Sequence, residues 1–252
     1  ANLWYKPITS LNPNLDQDVK LALKLLAEWN GEMNEHLPEP LIFYSWMRKL
    51  QKRLVQDELG ALAQEFGNFD PIFLERVFRN IDGASVWCDI VQSISKEDCD
   101  AIAELALYDA ISELKARYKV DITSMRWGDA HIAMHDHLTL GHIPFLNLLL
   151  NLRQSVSGGD YTLQRGLSSG NEYNPFENVH AAVYRGVYDF SDPDSSLYII
   201  STGQSGHLFS RHYDDLGQLW RRGEYISMSL DLELAKAASN GTTKIIPASN
   251  LQ

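Results

Sequence analysis

The chain has 252 residues, and 44% of them are apolar, which is typical of a globular protein with one large or two ordinary domains. Its 22 Lys and Arg against 33 Asp and Glu give a formal net charge of −11, which argues against a nucleic-acid partner. The most apolar stretch, residues 143–152, is far shorter than the roughly 20 residues of a membrane helix, so we predict no membrane span. The start, "ANLWYK", lacks the pattern of a signal peptide, and we expect a processed piece of a longer protein.

The first half of the chain carries the periodicity of amphipathic helices. Apolar residues recur at spacings of three and four over residues 16–30, and an Asn-Gly pair, typical of a helix end, closes this stretch. The same pattern predicts helices over residues 39–66, 71–78 and 96–118. We therefore expect four helices before residue 121.

Two cysteines, Cys88 and Cys99, lie eleven residues apart, too far for a CxxC redox or zinc motif. Cys99 falls in the first turn of the fourth predicted helix, whose start is marked by Ser95 and Asp98, a pair similar to a capping box. The residues alone leave two alternatives open: one disulfide, or two free buried thiols.

After about residue 121 the pattern changes to short runs rich in β-branched and aromatic residues, bounded by Gly, Asn, Asp and Pro. These runs predict strands over residues 161–166, 180–190 and 196–202. The stretch "SDPDS", residues 191–195, has the chemistry of a turn. It predicts an antiparallel hairpin between the second and third strands.

The end of the chain predicts helices over residues 212–222 and 231–238 and a short last strand over residues 242–247. Helices gathered first and mostly antiparallel strands later favour an α+β fold over an alternating one. We divide the chain into a helical segment, residues 1–125, and a segment of strands and helices, residues 126–252. Both are expected to belong to one structural domain.

Three histidines, His131, His135 and His137, lie close together in "HIAMHDH". On a helix the first two would share a face, as metal ligands often do. However, no Glu follows His131 as in an HExxH motif, and the preceding Gly-Asp pair interrupts a helix. The pattern favours structural histidines over a zinc site, and we predict no metal in this chain.

The stretch of residues 201–220 contains a serine, two histidines and two adjacent aspartates, as a hydrolase triad would. In "GQSG", however, one glycine lies two residues before Ser205 and the other directly after it, which is not the G-x-S-x-G spacing of a nucleophile elbow. His212, Asp214 and Asp215 have a second explanation, because carboxylates are favourable at a helix start. A Gly-rich turn is therefore favoured over a nucleophile.

Several short motifs occur in the order and spacing of a known enzyme family. They are "MRWGDAH" at 125–131, "SGGDYTLQRG" at 157–166, "AVYRGVYDFSDPDSSLYIISTGQSG" at 182–206 and "SRHYDDLGQLWRRGEYISM" at 210–228. Together they resemble the C-terminal part of the β chain of the penicillin acylase family, which includes the acyl-homoserine lactone acylases. The resemblance covers most of the chain. "VWCD" followed by "EDC" is similar to the family's cysteine pair, so the resemblance implies a disulfide between Cys88 and Cys99.

The resemblance implies an N-terminal nucleophile hydrolase with an αββα sandwich. In this family a precursor cleaves itself and exposes a serine at the start of the β chain, and the α-amino group of that serine acts as its base. The serine attacks an amide carbonyl, backbone N–H groups and an Asn hold the oxyanion, and water releases the acid. The implied substrate is an acyl-homoserine lactone, a β-lactam side chain or another acylated amine, in the bacterial periplasm.

This sequence departs from the family pattern because it starts with Ala1 and lacks the early β segment. The resemblance then implies that the nucleophile, the oxyanion Asn and the calcium ligands lie in other parts of the precursor, so no cofactor is expected in this chain. Those α and β chain parts are the expected partners, and this chain alone is expected to be inactive. Two rivals stay open: a catalytically silent binding or assembly module of the same fold, and a conventional serine hydrolase that uses Ser205.

The resemblance also implies supporting roles for residues of this chain. Some family members orient a histidine near the nucleophile with a carboxylate on a late strand, and the order of motifs makes Asp189 the candidate. The alternative is that Asp189 caps the turn before Asp192. Gln204, Ser205 and His212 are expected to organise the turn and the helix edge beside the reaction site.

Overall fold

The structure is a computed structural model, and it describes residues 17–239 and 241–246. The chain divides into two compact units, Ala1–Ala182 and Val183–Gln252. The predicted boundary after residue 125 marks the change of sequence pattern and falls inside the first of these units.

Long helices form the first part of the first unit. They are α1 (Gln17–Glu28), α2 (Glu39–Leu59), α3 (Pro71–Phe78) and α4 (Cys99–Tyr118), with 3-10 turns over Gly60–Glu65, Ile81–Cys88 and Ile122–Ser124. The four predicted helices are thus present: α3 has the predicted bounds, and the other three are shorter than predicted. The first predicted residue of α1, residue 16, lies outside the described residues. α2 ends early because Gly60 adopts a positive φ of 53°, and the chain continues as a 3-10 turn.

The core of the first unit lies between the apolar faces of these helices. Trp46 of α2 is buried, and its indole N–H donates to the carbonyl oxygen of Ala103 in α4 at 2.8 Å. This bond satisfies the one polar atom that the indole brings into the core. Buried residues at helical spacing contribute the rest of the contact, among them Leu50, Leu54, Leu107, Ala110 and Leu114.

The start of α4 is set by Asp98, whose carboxylate accepts the backbone N–H of Ala101 at 2.8 Å. The helix therefore begins at Cys99, three residues later than predicted, and Asp98 alone of the expected pair caps it. Cys99 is bonded to Cys88, at the end of the preceding 3-10 turn, with an S–S length of 2.01 Å. The described cysteines include no free thiol.

A four-stranded sheet completes the first unit, in the order β2-β1-β4-β3. Its strands are β1 (Ile132–His135), β2 (Leu152–Ser155), β3 (Gly166–Ser168) and β4 (Asn178–Ala181), and two short helices precede the first two of them, α5 (Trp127–Ala130) and α6 (Leu146–Leu150). β1 pairs with β2 and β3 with β4 in antiparallel fashion, whereas β1 and β4 are parallel. Sequence reasoning missed β1 and β2 because four residues are too few for a readable alternation.

Two of the predicted strands are corrected by the structure. Residues 161–164 form a turn, in which Thr162 Oγ1 accepts the N–H of Gly159 at 3.0 Å, and Arg165 forms an isolated bridge with Gly159, so the strand begins only at Gly166. The single strand predicted over residues 180–190 is divided between β4 and β5, which belong to different sheets. The composition of residues 180–190 predicted one extended strand. In the structure β4 pairs with β3, whereas β5 pairs with β6.

The second unit is built on a three-stranded antiparallel sheet, in the order β5-β6-β7. Its strands are β5 (Tyr184–Val187), β6 (Leu197–Ile200) and β7 (Ile226–Ser227). The predicted hairpin is confirmed, with Tyr184 opposite Ile200 and Val187 opposite Leu197. The "SDPDS" stretch is the turn that its composition predicted, and the structure adds that it contains a 3-10 helix, Pro193–Ser195.

The helices of the second unit are shorter than the sequence suggested. α7 covers Gly217–Arg221, so residues 212–216 of the predicted helix form turns instead. α8 covers Leu232–Ala238, close to the prediction, and Asp231 caps it by accepting two backbone N–H groups. The predicted last strand is wrong over residues 242–246, which have no regular structure, and residue 247 lies outside the described residues.

The order of elements confirms the α+β class, with helices first and mostly antiparallel strands later. In the part of the chain that the structure describes, no helix combines the length and apolar character that a membrane crossing requires.

Candidate functional site

The residues predicted to support a reaction all lie in the second unit, at opposite ends of β6. Asp189 belongs to the turn that leads into β6, while Gln204, Ser205 and His212 belong to the loop that follows it. The structure therefore brings Ser205 and His212 together and leaves Asp189 at the other end of the strand.

Asp189 holds the hairpin turn. Its Oδ1 accepts three hydrogen bonds, from the hydroxyl of Ser191 at 2.7 Å and from the backbone N–H groups of Ser191 and Asp192 at 2.8 and 3.1 Å. These bonds, the Ser191 hydroxyl first, lower the pKa of the Asp189 carboxyl below its usual value. The hydrogen bonds are those of a turn cap, and a role toward a histidine of another chain part stays a prediction.

The loop after β6 is closed by backbone hydrogen bonds. The N–H of Gly203 donates to the carbonyl of Tyr213, and the N–H of Ser205 donates to the carbonyl of His212, both at 2.9 Å. A Cβ at position 203 would overlap that His212 carbonyl oxygen, so only glycine fits this approach. Ser205 Oγ accepts the backbone N–H of His207 at 3.1 Å, which makes the serine part of the turn. Gln204 is exposed.

The imidazole of His212 is fixed between two charged neighbours. Its Nε2 accepts from Nε of Arg211 at 3.0 Å, and because arginine nitrogens only donate, this ring nitrogen carries no proton. The proton is on Nδ1, which donates to Oδ2 of Asp215 at 2.7 Å. The pair has the histidine–carboxylate contact of a triad, but Arg211 occupies the nitrogen that would have to accept a proton from a serine.

The histidines that suggested a metal site have separate structural roles. His135 lies in β1 opposite Leu152, so the helical i, i+4 geometry does not exist. The backbone N–H of His137 donates to Oδ1 of Asn151, and Nδ1 of the same histidine accepts the N–H of Leu140. Among the residues that the structure describes, no group of three His, Cys, Asp or Glu is placed to hold a metal ion.

His131 is a buried, neutral histidine of the first unit. Its ring stacks on Trp127 with a centroid distance of 4.4 Å, and its Nδ1 donates to the carbonyl of Phe176 at 2.8 Å. Burial lowers the pKa of His131 to about 4, although the Phe176 carbonyl favours the charged ring. Nε2 is buried without a hydrogen-bond partner among the described residues, next to the backbone of Gly166.

Asp160, in the "SGGDYTLQRG" motif, is a buried carboxyl that sequence reasoning did not single out. Its Oδ1 accepts the N–H of Ser168 in β3 at 2.6 Å, and its own N–H donates to the hydroxyl of Tyr44 in α2 at 2.8 Å. Burial raises the pKa of Asp160, while the contacts with Ser168 lower it. An acidic residue directly after two glycines was the available clue, because such a loop can close tightly around a carboxylate.

In both units, the polar side chains described above hold the backbone in place. Histidine nitrogens and carboxylates are used to hold turns, strands and helices, and Ser205 has no ring nitrogen of His212 free to activate it. The chemistry of acyl transfer needs a nucleophile beside a base, and the Ser205 loop does not supply that pair.

Comparison with known proteins gives the class to which these elements belong. The model of the penicillin amidase family matches residues 2–237, and the chain belongs to this family. It is 25% identical over 230 residues to the penicillin acylase 2 proenzyme of a Pseudomonas species, strain SE83, covering 88% of this chain and 28% of that protein. It is 26% identical over 233 residues to the acyl-homoserine lactone acylase QuiP of Pseudomonas syringae pv. tomato, covering 86% of this chain and 27% of that protein.

The chain thus spans little more than a quarter of the length of these relatives. A solved structure, the thermostable penicillin G acylase from Alcaligenes faecalis, is similar with 16% sequence identity and a TM-score of 0.46. That similarity covers 96% of this chain and 45% of the other.

Proposed function

We propose that this chain is the C-terminal β-chain portion of an N-acyl amide hydrolase whose nucleophilic serine lies at the start of the β chain, outside these residues. The proposal rests on membership of the penicillin amidase family and on relatives that are acylases by name. The substrate is an acylated amine, with acyl-homoserine lactones and β-lactam side chains as the classes to test. The enzyme acts in the bacterial periplasm.

One observation carries the location of the nucleophile. Arg211 donates to Nε2 of His212, so the best-placed histidine is not available as the base for Ser205. An N-terminal serine needs no histidine, since its own α-amino group accepts the proton. This contact supports the proposal that the attacking group belongs to other chain parts of the precursor.

The contribution of this chain is structural support of the reaction site. Its sheets and helices are proposed to complete an αββα sandwich with the remaining α and β chain parts, which are its partners. The hairpin cap of Asp189 and the loop of Gln204, Ser205 and His212 are proposed to hold strands beside the reaction site. The calcium ligands of the enzyme are proposed to lie in those other parts.

The experiment is expression of the whole precursor, followed by intact mass measurement and N-terminal sequencing of the mature chains. We expect a partner chain that begins with serine, and replacement of that serine by Ala should abolish hydrolysis of an acylated amine. The matched variant Ser205→Ala should retain turnover, because among the described residues Ser205 Oγ accepts the N–H of His207 and serves the turn.

Two results would contradict the proposal. Loss of turnover in Ser205→Ala, with a folded protein, would favour the conventional serine hydrolase. A mature assembly in which no chain begins with serine, and which hydrolyses none of the acylated amines, would favour the silent binding module.

A further inference from the structure

The first unit contains a cavity of about 520 Å³ between α2, α4 and the loop before β4. Its lining includes four cationic side chains, Arg48, Lys49 and Lys52 of α2 and Arg117 of α4. This volume is within the range of small-molecule sites.

The charge of the cavity opposes that of the chain. Two carboxylates, Glu113 and Glu172, also line it, so four positive groups face two negative ones and an excess of two positive charges remains. The chain as a whole has a formal net charge of −11. A basic cavity in an acidic protein concentrates anions locally.

Existing contacts leave this excess in place. Glu113 pairs with Lys49 and, at 3.3 Å, with Arg117, so one carboxylate is shared by two cations. Burial disfavours the ionised form of Glu113, but Lys49, then Arg117 and Arg48, outweigh it and lower the pKa of its carboxyl. Glu113 is therefore ionised at neutral pH and is already counted in the charge balance.

Arg48 is anchored so that it faces the cavity in one orientation. Its Nε donates to the carbonyl of Gly67 at 2.8 Å, its Nη2 donates to the carbonyl of Gly170 at 3.0 Å, and its guanidinium lies 5.5 Å from the ring centroid of Phe176. These carbonyls hold the group in place, and the carboxylates of Glu113, Asp160 and Glu172 also act on it electrostatically. A fixed and partly buried guanidinium is a strong partner for a carboxylate or phosphate.

Lys52 is exposed and lies one helical turn after Arg48 on α2. Like charges at this i, i+4 spacing destabilise a helix. A bound anion would offset this repulsion, and the lysine side chain has the length and freedom to close on it.

We propose that this cavity binds a small dianion, a phosphate monoester or a dicarboxylate. The two negative charges of such a ligand would match the excess of positive charge in the cavity, and a ligand of this size fits the volume of the cavity. The lining of the cavity includes no residue of the Ser205 loop.

The test is calorimetric titration of the assembled mature enzyme with glycerol 3-phosphate and, separately, with succinate. We expect saturable binding of one of them, which identifies the dianion, and a loss of affinity of about tenfold in Lys52→Gln. The matched control is Lys24→Gln, which removes the same charge from an exposed position of α1. This control should bind like the wild type, and acylase turnover should be unchanged in both variants.

The proposal is overturned if neither probe binds saturably. It is also overturned if Lys52→Gln binds as tightly as Lys24→Gln, since the anion would then occupy another place, such as the acylase site. Because turnover is measured on the same samples, a failure here is distinguishable from a failure of the proposed acylase function.

Discussion

At the scale of single residues, His131 shows how burial decides a charge state. Its ring lies against Trp127, Phe176 and Gly166, and its Nδ1 donates a hydrogen bond to the carbonyl of Phe176. Inside this packing a protonated ring would lose its hydration without gaining a carboxylate. The histidine therefore stays neutral and acts as a stacked, hydrogen-bonded core side chain.

This burial predicts a pH dependence of stability. The pKa of His131 is about 4 in the folded protein and 6.5 when unperturbed, so between these values the unfolded chain binds the proton more readily. The free energy of unfolding should fall by about 3 kcal/mol as the pH drops from about 6.5 to about 4. Above pH 6.5 this contribution of the neutral ring should be complete. Urea unfolding of the assembled enzyme at several pH values measures this slope.

The matched pair of variants is His131→Gln and His36→Gln. His131→Gln should lower stability at neutral pH and flatten the dependence of stability on pH. The control His36→Gln removes an exposed histidine and should leave that dependence unchanged. An equal slope in wild type and His131→Gln would show that another group titrates.

Two glycines of the "GQSG" stretch provide a second test at residue scale. Gly203→Ala would place a Cβ against the His212 carbonyl, and overpacking of this kind costs about 1 to 3 kcal/mol. Gly206 has nothing within 4 Å of its Cβ position, so Gly206→Ala should change stability by less than about 0.5 kcal/mol. Thermal unfolding of both variants decides this; an equally small effect at both positions would contradict the backbone approach seen here.

The sequence predicted Ser205 in a Gly-rich turn and His212 at the start of a helix, and it did not predict that the two residues meet or the tautomer of the histidine. That tautomer follows from Arg211 and Asp215, which contact the two ring nitrogens. Asp160 was not singled out at all, since its partners Tyr44 and Ser168 lie in a distant helix and in a strand whose start was predicted incorrectly. The spacing of residues within a motif does not predict contacts with residues that are distant in the chain.

At the scale of elements, the disulfide joins the end of a 3-10 turn to the first residue of α4. The bond between Cys88 and Cys99 closes a short loop, with a sequence separation of 11 residues, and so restricts the unfolded chain more than the folded one. Replacing both cysteines by Ser should lower stability by about 2 to 3 kcal/mol. Guanidinium unfolding without reductant, on wild type and the double variant, measures the difference.

Reductant supplies the internal control for this prediction. It should destabilise the wild type by a similar amount and leave the double variant unchanged. If reductant destabilises the double variant as well, the effect does not come from this bond.

Elements with repeated apolar spacing were predicted well, and short elements were not. α2 and α4 bury one face over many turns, so their periodicity is visible in the sequence. β1 and β2 have four residues each, and their pairing is decided by neighbours that are distant in the chain. The run over residues 180–190 has uniform strand composition, and only the pairing shows that it changes sheets after Ala181.

At the scale of the whole molecule, large apolar side chains remain in contact with water. Phe190 is 94% exposed and Phe209 is 88% exposed, and both lie in the second unit. Exposed apolar surface of this kind marks surfaces that contact other protein. Together with relatives more than three times as long, it supports the proposal that other chain parts of an acylase cover this surface.

The sequence by itself determined the long helices, the hairpin around residues 191–195, the acidic charge and, through its motifs, the family. These depend on residues that are close along the chain or on the order of short motifs. The tertiary structure decided the neutral state of His131, the burial of Asp160, the tautomer of His212 and the basic cavity. Burial and charge depend on contacts such as that of Arg48 with Gly170, 122 residues away, and no local pattern fixes which distant groups meet.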